Sequence, residues 1–523
     1  MHKFHYLPIF LLLLSGNAIA QTPSAPVLTI TINARDTAQR IDNIGASGCW
    51  FSEGIGKYWP VAKREKIAEL LFSKKMDARG NPLGIGLSAW RFNIGGGTAE
   101  HGDSSGIKDF RRRAESFIAA DGTYDWNKQA GYQWFLRKAR QFGVENLIAF
   151  SNTPPVHFTS NGYGYKTVKS PASNLRPDKY AAYADFLATV AQHFDKEGLH
   201  FKYISPVNEP QWEWYGKPGQ MDQEGSPWTN QEIQKITMEL DKALTAKKLT
   251  SKILTTEAGM LNYLYEGKSA AGSQIQELFN PAGRYTITGL KHVPPIVAGH
   301  SYFTDANDST MVVTRKRLAD TAAKYKTAYW ESEYSMLGDG FREGTKQSRI
   351  AIDCALFLAK VINRDLTIGN AAAWQLWNAY EPGKEDVDTR YYLIALKPNE
   401  AYTDGDFTAT KNLWAMGNYS RFIRPGMQRI KTGRSDGLSD IQAGQDVMVS
   451  AFKGKDGVVV IVLINYTTTG RQIQLKPENF KLPRKIRSYT TSAQDNLAAA
   501  LVNKWEEPFT LKPRSITTLV FKN

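Results

Sequence analysis

Glu209 closes the stretch Ser205-Pro206-Val207-Asn208-Glu209-Pro210, directly after the run Phe201-Lys202-Tyr203-Ile204, whose aromatic and β-branched residues read as a short strand. Pro210 has no N–H to give to a ladder, so the strand stops and Glu209 stands at its C-terminal tip. A second strand-like run, Thr327-Ala328-Tyr329-Trp330-Glu331-Ser332-Glu333, carries another glutamate to a similar tip far along the chain. Two carboxyl groups on separate strand ends suit one chemistry in particular. A protonated one can give its proton to a glycosidic oxygen while an ionised one meets the charge developing on the sugar carbon. Glu331 competes with Glu333 for the second role, because strand alternation sets both on one face; Glu333 is the nearer to the tip.

The elements that must position these groups follow a repeating code. Ile44-Gly45-Ala46-Ser47-Gly48 is followed by a helical run from Val61 to Phe72, with Ile67, Leu70 and Leu71 at spacings of three and four. Strands read at Leu87–Asn93, Asn146–Phe150, Phe201–Val207, Lys252–Thr256, Pro295–His300, Lys326–Glu333 and Ala371–Trp377. Between them lie helices over Trp126–Gln141, Asp178–Phe194 and Arg349–Ile362, and a helix opened by the capping box Thr229-Asn230-Gln231-Glu232 and ending near Lys247. Eight strands with crossovers make an α/β fold, a (β/α)8 TIM barrel. A last helical run, Leu413 to Phe422, stops at Arg424-Pro425-Gly426, and from there the code is all-β: Asp446–Phe452, Gly457–Tyr466, Gln472–Leu475, Ile486–Thr490 and Ile516–Phe521. Val27–Asn33 alternates as a half-buried antiparallel strand, and it joins this side sandwich most economically. The expected organisation is a signal peptide over residues 1–20, sandwich strand or strands in 21–43, the barrel in 44–424 and the sandwich in 425–523.

Lys3, the apolar run Leu7 to Leu14 and Ala18-Ile19-Ala20 have the order of a secretory leader cleaved after Ala20, giving a secreted or periplasmic product. No other stretch is long and apolar enough to span a membrane. Only Cys49 and Cys354 occur, which excludes a disulfide-stapled scaffold and leaves one bridge or two unrelated thiols. The His residues are scattered and no metal-ligand spacing appears, so no metal and no cofactor is expected. A formal charge of +14 suits either an acidic partner or a solvated cationic surface; the basic residues are spread out, which argues against nucleic acid. A monomer is the expectation.

At the barrel mouth the strand tips converge. They carry Arg91, Asn93, Asn152, Asn208, Glu209, Glu257, His300, Tyr302, Glu333, Trp374 and Trp377. With Asn208-Glu209-Pro210 after the fourth strand and Trp330-Glu331-Ser332-Glu333 on the seventh, the chain resembles clan A retaining glycoside hydrolases. Arg91-Phe92-Asn93-Ile94-Gly95-Gly96, His300-Ser301-Tyr302 and Gly417-Asn418-Tyr419-Ser420-Arg421-Phe422-Ile423-Arg424-Pro425-Gly426 narrow this to glycoside hydrolase family 30. The resemblance implies Glu209 as general acid/base, Glu333 as nucleophile, Asn208 on the sugar 2-hydroxyl, Arg91 and Tyr302 bonded to the nucleophile, and Trp374 as a sugar platform. Asn93, Asn152, Glu257, His300 and Trp377 are further substrate-binding candidates, Glu257 and Glu331 having structural readings as well. Arg91 beside Glu333 would keep it ionised, and Glu209, without a cationic neighbour, could have its pKa raised.

Ala149-Phe150-Ser151-Asn152-Thr153-Pro154-Pro155, Gly95-Gly96-Gly97 and Glu224-Gly225-Ser226-Pro227-Trp228-Thr229 look most like endo-β-1,6-galactanases, whereas Val156-His157-Phe158 departs from that pattern. The resemblance implies a polysaccharide or oligosaccharide substrate. β-1,6-Glucanase, xylanase and β-glucosidase activities remain open, as does a non-catalytic glycan-binding protein, against which the presence of both Glu209 and Glu333 argues.

Overall fold

The computed structural model describes Met1 and residues 26–338, 349–503 and 507–522. The rest of the expected leader lies outside the described residues. Among the described residues, all-parallel strands follow one another as neighbours: Asn43–Ser47, Ala89–Asn93, Asn146–Phe150, Phe201–Ser205, a fifth strand in two pieces (Lys252–Ile253 and Thr255–Ala258), Ile296–His300, Ala328–Tyr334 and Ala371–Leu376. The two pieces of the fifth strand are the two ends of the sheet, one pairing with the fourth strand and the other with the sixth. The ring of eight therefore closes through the break at Leu254, whose N–H still bonds the Ile204 carbonyl at 3.0 Å. This is the expected barrel.

Its floor is filled from the strands themselves: Ala89, Ile148, Tyr203, Leu254, Ala298, Trp330 and Ala373 form one inner cluster, with Trp330 edge-on to Tyr203 at 4.6 Å. Residues one position away face outward onto helices such as Val61–Phe72, Ala130–Gln141, Tyr180–Lys196 and Ala351–Thr367. The capping box at Thr229 opens Asn230–Ala246 as read. The helix expected from Trp126 starts only at Ala130, because Gln129 takes a left-handed φ of 52°.

The side domain is a nine-stranded sheet. Phe480, just after strand Arg471–Glu478, stacks on Phe521 of Ser515–Lys522 although those strands lie five places apart, so the sheet curls around its own core. The N-terminal strand, Leu28–Arg40, is longer than the alternation suggests. It pairs antiparallel with Gln428–Arg434 and parallel with Arg471–Glu478, so the purely antiparallel reading is corrected. Strand Val458–Asn465 is apolar throughout because it is buried on both faces: Val459, Ile461 and Leu463 face the side-domain core, while Val460, Val462 and Ile464 join the barrel core. Leu463→Ala is expected to cost about 2–5 kcal/mol in denaturant unfolding, as for other buried leucines left over a cavity.

Candidate active site

Arg91 is the centre from which the mouth is built. It points inward two residues above Ala89 and is 1% exposed, with its guanidinium 3.8 Å from the Phe150 ring centroid. It donates to Glu333 Oε2 and, at 3.1 Å, to Asn208 Oδ1, and stands 3.6 Å from Glu257. Asn208 Nδ2 donates in turn to Asn152 Oδ1 at 3.1 Å, and Asn152 Nδ2 reaches Asn93 Oδ1 at 3.5 Å. Tyr302 donates its hydroxyl to the other oxygen of Glu333 at 3.1 Å. Both oxygens of Glu333 are thus oriented.

Glu209 has a different shell. His300 Nδ1 lies 2.9 Å from Glu209 Oε1, and His300 Nε2 lies 3.2 Å from Glu257 Oε2. Burial alone would depress His300, but Glu333, Glu209 and Glu257 around it prevail and lift its pKa to about 10. Glu209 therefore does have a cationic neighbour, which corrects the sequence expectation. Its pKa is nevertheless raised, chiefly by burial and further by the charge of Glu333, against the pull of His300 and the Trp212 indole. Glu257 goes the other way: burial would raise it, but the Arg91 charge and bonds from His300 and Ser205 outweigh burial and hold it at about 2. Glu209, His300 and Glu333 each bring one oxygen or nitrogen within 4.8 Å of the other two. Such a trio could in principle surround a cation. Here Arg91 and a protonated His300 already supply positive charge, so the donor set suits a metal poorly.

Glu331 is separated from Glu333 by a break in the strand ladder. Gly299 pairs with Glu331 but His300 pairs with Glu333, so the seventh strand carries one extra residue there and alternation is lost. Glu331 stays on the outer face, fully buried, taking the Ser301 N–H at 3.0 Å; burial and the charge of Asp365 push its pKa well up. The extra residue turns Glu333 into the mouth. The expectation that the two share a face is corrected.

Trp374 also lies outside the barrel wall. It is 0% exposed and donates its indole N–H to Asp365 at 2.9 Å, so it has no face to offer a sugar and the platform assignment is withdrawn. Alternation holds the signal that separates it from the mouth, since Ala373 beside it faces inward. Trp377 is half-buried at the mouth, edge-on to Trp50 at 5.0 Å and near Phe150. His300, Glu257 and Asn93 are sealed from solvent, and they support Glu209, Arg91 and Asn152 rather than face the opening.

Sequence reasoning passes over Trp212 and Trp214, whose loop has no periodicity. Trp212 bonds the Glu209 side chain and Trp214 Nε1 donates to the Glu209 carbonyl at 3.1 Å. It also gives Glu224 no role. That buried carboxyl accepts from the Thr98 hydroxyl at 2.6 Å and from the Gly96 N–H at 3.2 Å, and burial outweighs those bonds to lift its pKa to about 7. A Cβ on Gly96 would come within 2.5 Å of Thr153, so this close packing of loops requires glycine.

The model of O-glycosyl hydrolase family 30 matches residues 27–389, and the family's β-sandwich domain matches 426–519. The chain belongs to glycoside hydrolase family 30. As a family 30 chain it is similar to an endo-β-1,6-galactanase of Hypocrea rufa, 23% identical over 472 residues that cover 86% of this chain and 88% of that one. It is also similar to the glucuronoxylanase XynC of Bacillus subtilis, 24% identical over 361 residues, or 67% of this chain and 68% of that one. A conserved exported protein from Bacteroides fragilis superposes with a TM-score of 0.87 at 34% identity, covering 94% of this chain and all of that one. This family 30 glycoside hydrolase acts on carbohydrate, and among its described residues no helix is long and apolar enough to cross a membrane.

Two outcomes test the electrostatics. Protonated His300 favours the ionised form of Glu209, so His300→Gln should raise the Glu209 pKa and move the basic limb of the pH profile of kcat/KM upward by about 1–3 units; an unmoved limb would contradict the contact. Glu257, held below the ordinary ~4.3 of glutamate, contributes stability that is complete above that pH and lost as pH falls toward 2. Glu257→Gln should flatten acid unfolding, followed by circular dichroism, within that window.

Proposed function

We propose that this protein is an exported retaining hydrolase of β-1,6-galactan, working by double displacement with Glu209 as acid/base and Glu333 as nucleophile. The observation that carries the mechanism is the approach of the two carboxyl groups, oxygen to oxygen within 4.8 Å. It suits the roughly 5–5.5 Å separation of carboxyl groups in retaining enzymes and leaves no room for the water that an inverting pair holds across roughly 6.5–9.5 Å.

In the first step Glu333 attacks the anomeric carbon, the bond from that carbon to the leaving oxygen breaks, and the proton of Glu209 passes to that oxygen. A glycosyl ester on Glu333 remains. In the second step Glu209, now ionised, takes a proton from water as the water oxygen bonds the anomeric carbon, and Glu333 leaves as carboxylate. Arg91 and Tyr302 hold the nucleophile in line, and Asn208, itself oriented by Arg91 and Asn152, is available for the sugar 2-hydroxyl. Trp377 offers the sugar a ring. Asn93 fixes Asn152, and His300 and Glu257 position Glu209 without touching substrate.

The galactan reading is supported by the galactanase relative, whose similarity runs along most of both chains, whereas the xylanase relative aligns over about two thirds. It is also supported by the Glu224 contact with Gly96 and Thr98, which ties together two of the segments that resemble galactanases. The leader-like residues 1–20 and the exported relative from Bacteroides fragilis support export.

Digestion of β-1,6-galactan, β-1,6-glucan and xylan, with products sized by chromatography, should release oligosaccharides from galactan alone. Glucan cleavage with galactan untouched would reverse the substrate and leave the mechanism standing. Glu209→Ala should lower kcat/KM by about 10²–10⁴-fold on a substrate with a poor leaving group. Glu333→Ala should abolish turnover, and added azide should restore it with a glycosyl azide of inverted anomeric configuration; rescue at Glu331→Ala instead would transfer the nucleophile to that residue.

A further inference from the structure

At the opposite end of the barrel from the mouth, a cavity of about 700 Å³ opens between the helix Ala351–Thr367 and the side-domain strands Gln428–Arg434 and Val447–Lys453. Its position is fixed by Gln39, whose amide bonds the carbonyl of Ala371, the first residue of the eighth barrel strand, and that of Leu366. Two buried guanidiniums line it. Arg364 is 3% exposed and Arg429 is 7% exposed.

Neither forms an ion pair among the described residues. Arg429 donates to the neutral oxygens of Gln39 at 2.8 Å and Asn370 at 2.7 Å. Arg364 donates to the main-chain carbonyl of Asp440, and its Nε has no partner. Ser450, 1% exposed on the same wall, has a hydroxyl with no partner either. The remaining cations nearby divide into spent and free ones: Arg434 is held by Asp436 and Asp446 and Lys431 by Asp36, whereas Lys316 stands exposed at the rim without an ion pair among the described residues. Among the described residues Asp440 is the one carboxylate residue lining the cavity, and it is exposed. Buried charge is costly unless an opposite charge meets it; the charges of Asp440 and Asp308 act on Arg364 and that of Asp36 on Arg429, but none of them comes within ion-pair distance.

We propose that this cavity is a second carbohydrate site, separate from the active site, that binds the carboxylate of an acidic saccharide. Arg364 and Arg429 would meet the carboxylate, and Lys316 would close the rim. A saccharide fits better than a free inorganic anion, because the volume far exceeds that of a tetrahedral ion and the half-buried Ile368 and Val449 offer apolar surface for the carbon face of a ring. The site would hold the enzyme on uronate-bearing chains while the mouth cleaves.

Titration calorimetry of the full-length enzyme with methyl β-glucuronide, methyl β-galactoside and sodium sulfate tests this. The glucuronide should bind at one site, at least tenfold more tightly than the other two, without inhibiting hydrolysis of a small chromogenic glycoside. Arg429→Gln and the rim variant Lys316→Glu should each weaken glucuronide binding at least tenfold and leave that hydrolysis unchanged. Arg429→Gln without ligand should melt no lower than wild type, since an unpaired buried charge is removed. The proposal is overturned if the glucuronide does not bind, if galactoside or sulfate binds as well, or if affinity survives in Lys316→Glu. A large fall in the melting temperature of Arg429→Gln would make that arginine structural and overturn its assigned contact.

Discussion

Burying Arg91 inside the barrel is the constraint on which the rest of the mouth depends. A guanidinium with 1% exposure needs anions and acceptors in contact, and it finds Glu333, Glu257 and Asn208 there. Those partners draw in others: Glu257 binds His300, and His300 binds Glu209. Two cations then face three carboxyl groups. The cluster is neutral when one carboxyl holds a proton, and Glu257, held at about 2, does not compete for it. Burial and the charge of Glu333 raise the pKa of Glu209. A carboxyl group with a raised pKa, side by side with one bonded to a guanidinium, is the direct consequence of accommodating a single arginine.

Holding the groups there requires backbone that regular strands do not supply. Glu209, Thr256 and Glu257 take φ values of 46°, 81° and 38°, a region that costs about 1–3 kcal/mol for such residues and most for a β-branched one. Neighbouring bonds offset that strain. The Glu209 N–H donates to the Glu257 carbonyl at 2.9 Å, and the Thr256 hydroxyl both donates to the Ala298 carbonyl at 2.6 Å and accepts from the Ala298 N–H at 2.8 Å. The fifth strand breaks at Leu254 just below this bend, and the seventh gains a residue at Ser332–Glu333. Irregularity is concentrated on the strands that aim carboxylates.

This division explains what could be read from the residues alone. The barrel was legible because its strands are short apolar runs with crossovers between them, and the helix at Thr229 because its capping box is local. Arg91, Tyr302, Asn208 and both glutamates were legible as strand-tip chemistry together with the family resemblance. The extra residue that separates Glu331 from Glu333 was not, since it arises from pairing with His300 and Gly299 on another strand. Strand Gln428–Arg434 escaped notice because only Ile430 marks it as apolar, its place being set by neighbours on either side. Trp374 was misassigned although alternation carried the answer, because an aromatic residue near a mouth invites the platform reading. Trp212 and Trp214 reach Glu209 by way of a loop whose path no periodicity encodes.

Glu209 has its pKa raised partly because Glu333 is charged beside it. Carbon-13 NMR of the Glu209 side-chain carboxyl, titrated in wild type and in Glu333→Gln, measures this directly. The account predicts a clear fall in the Glu209 pKa once the neighbouring charge is gone. An identical titration in the two proteins would mean that the carboxyl groups do not sense one another, and the arrangement described here could not perform the two-step displacement.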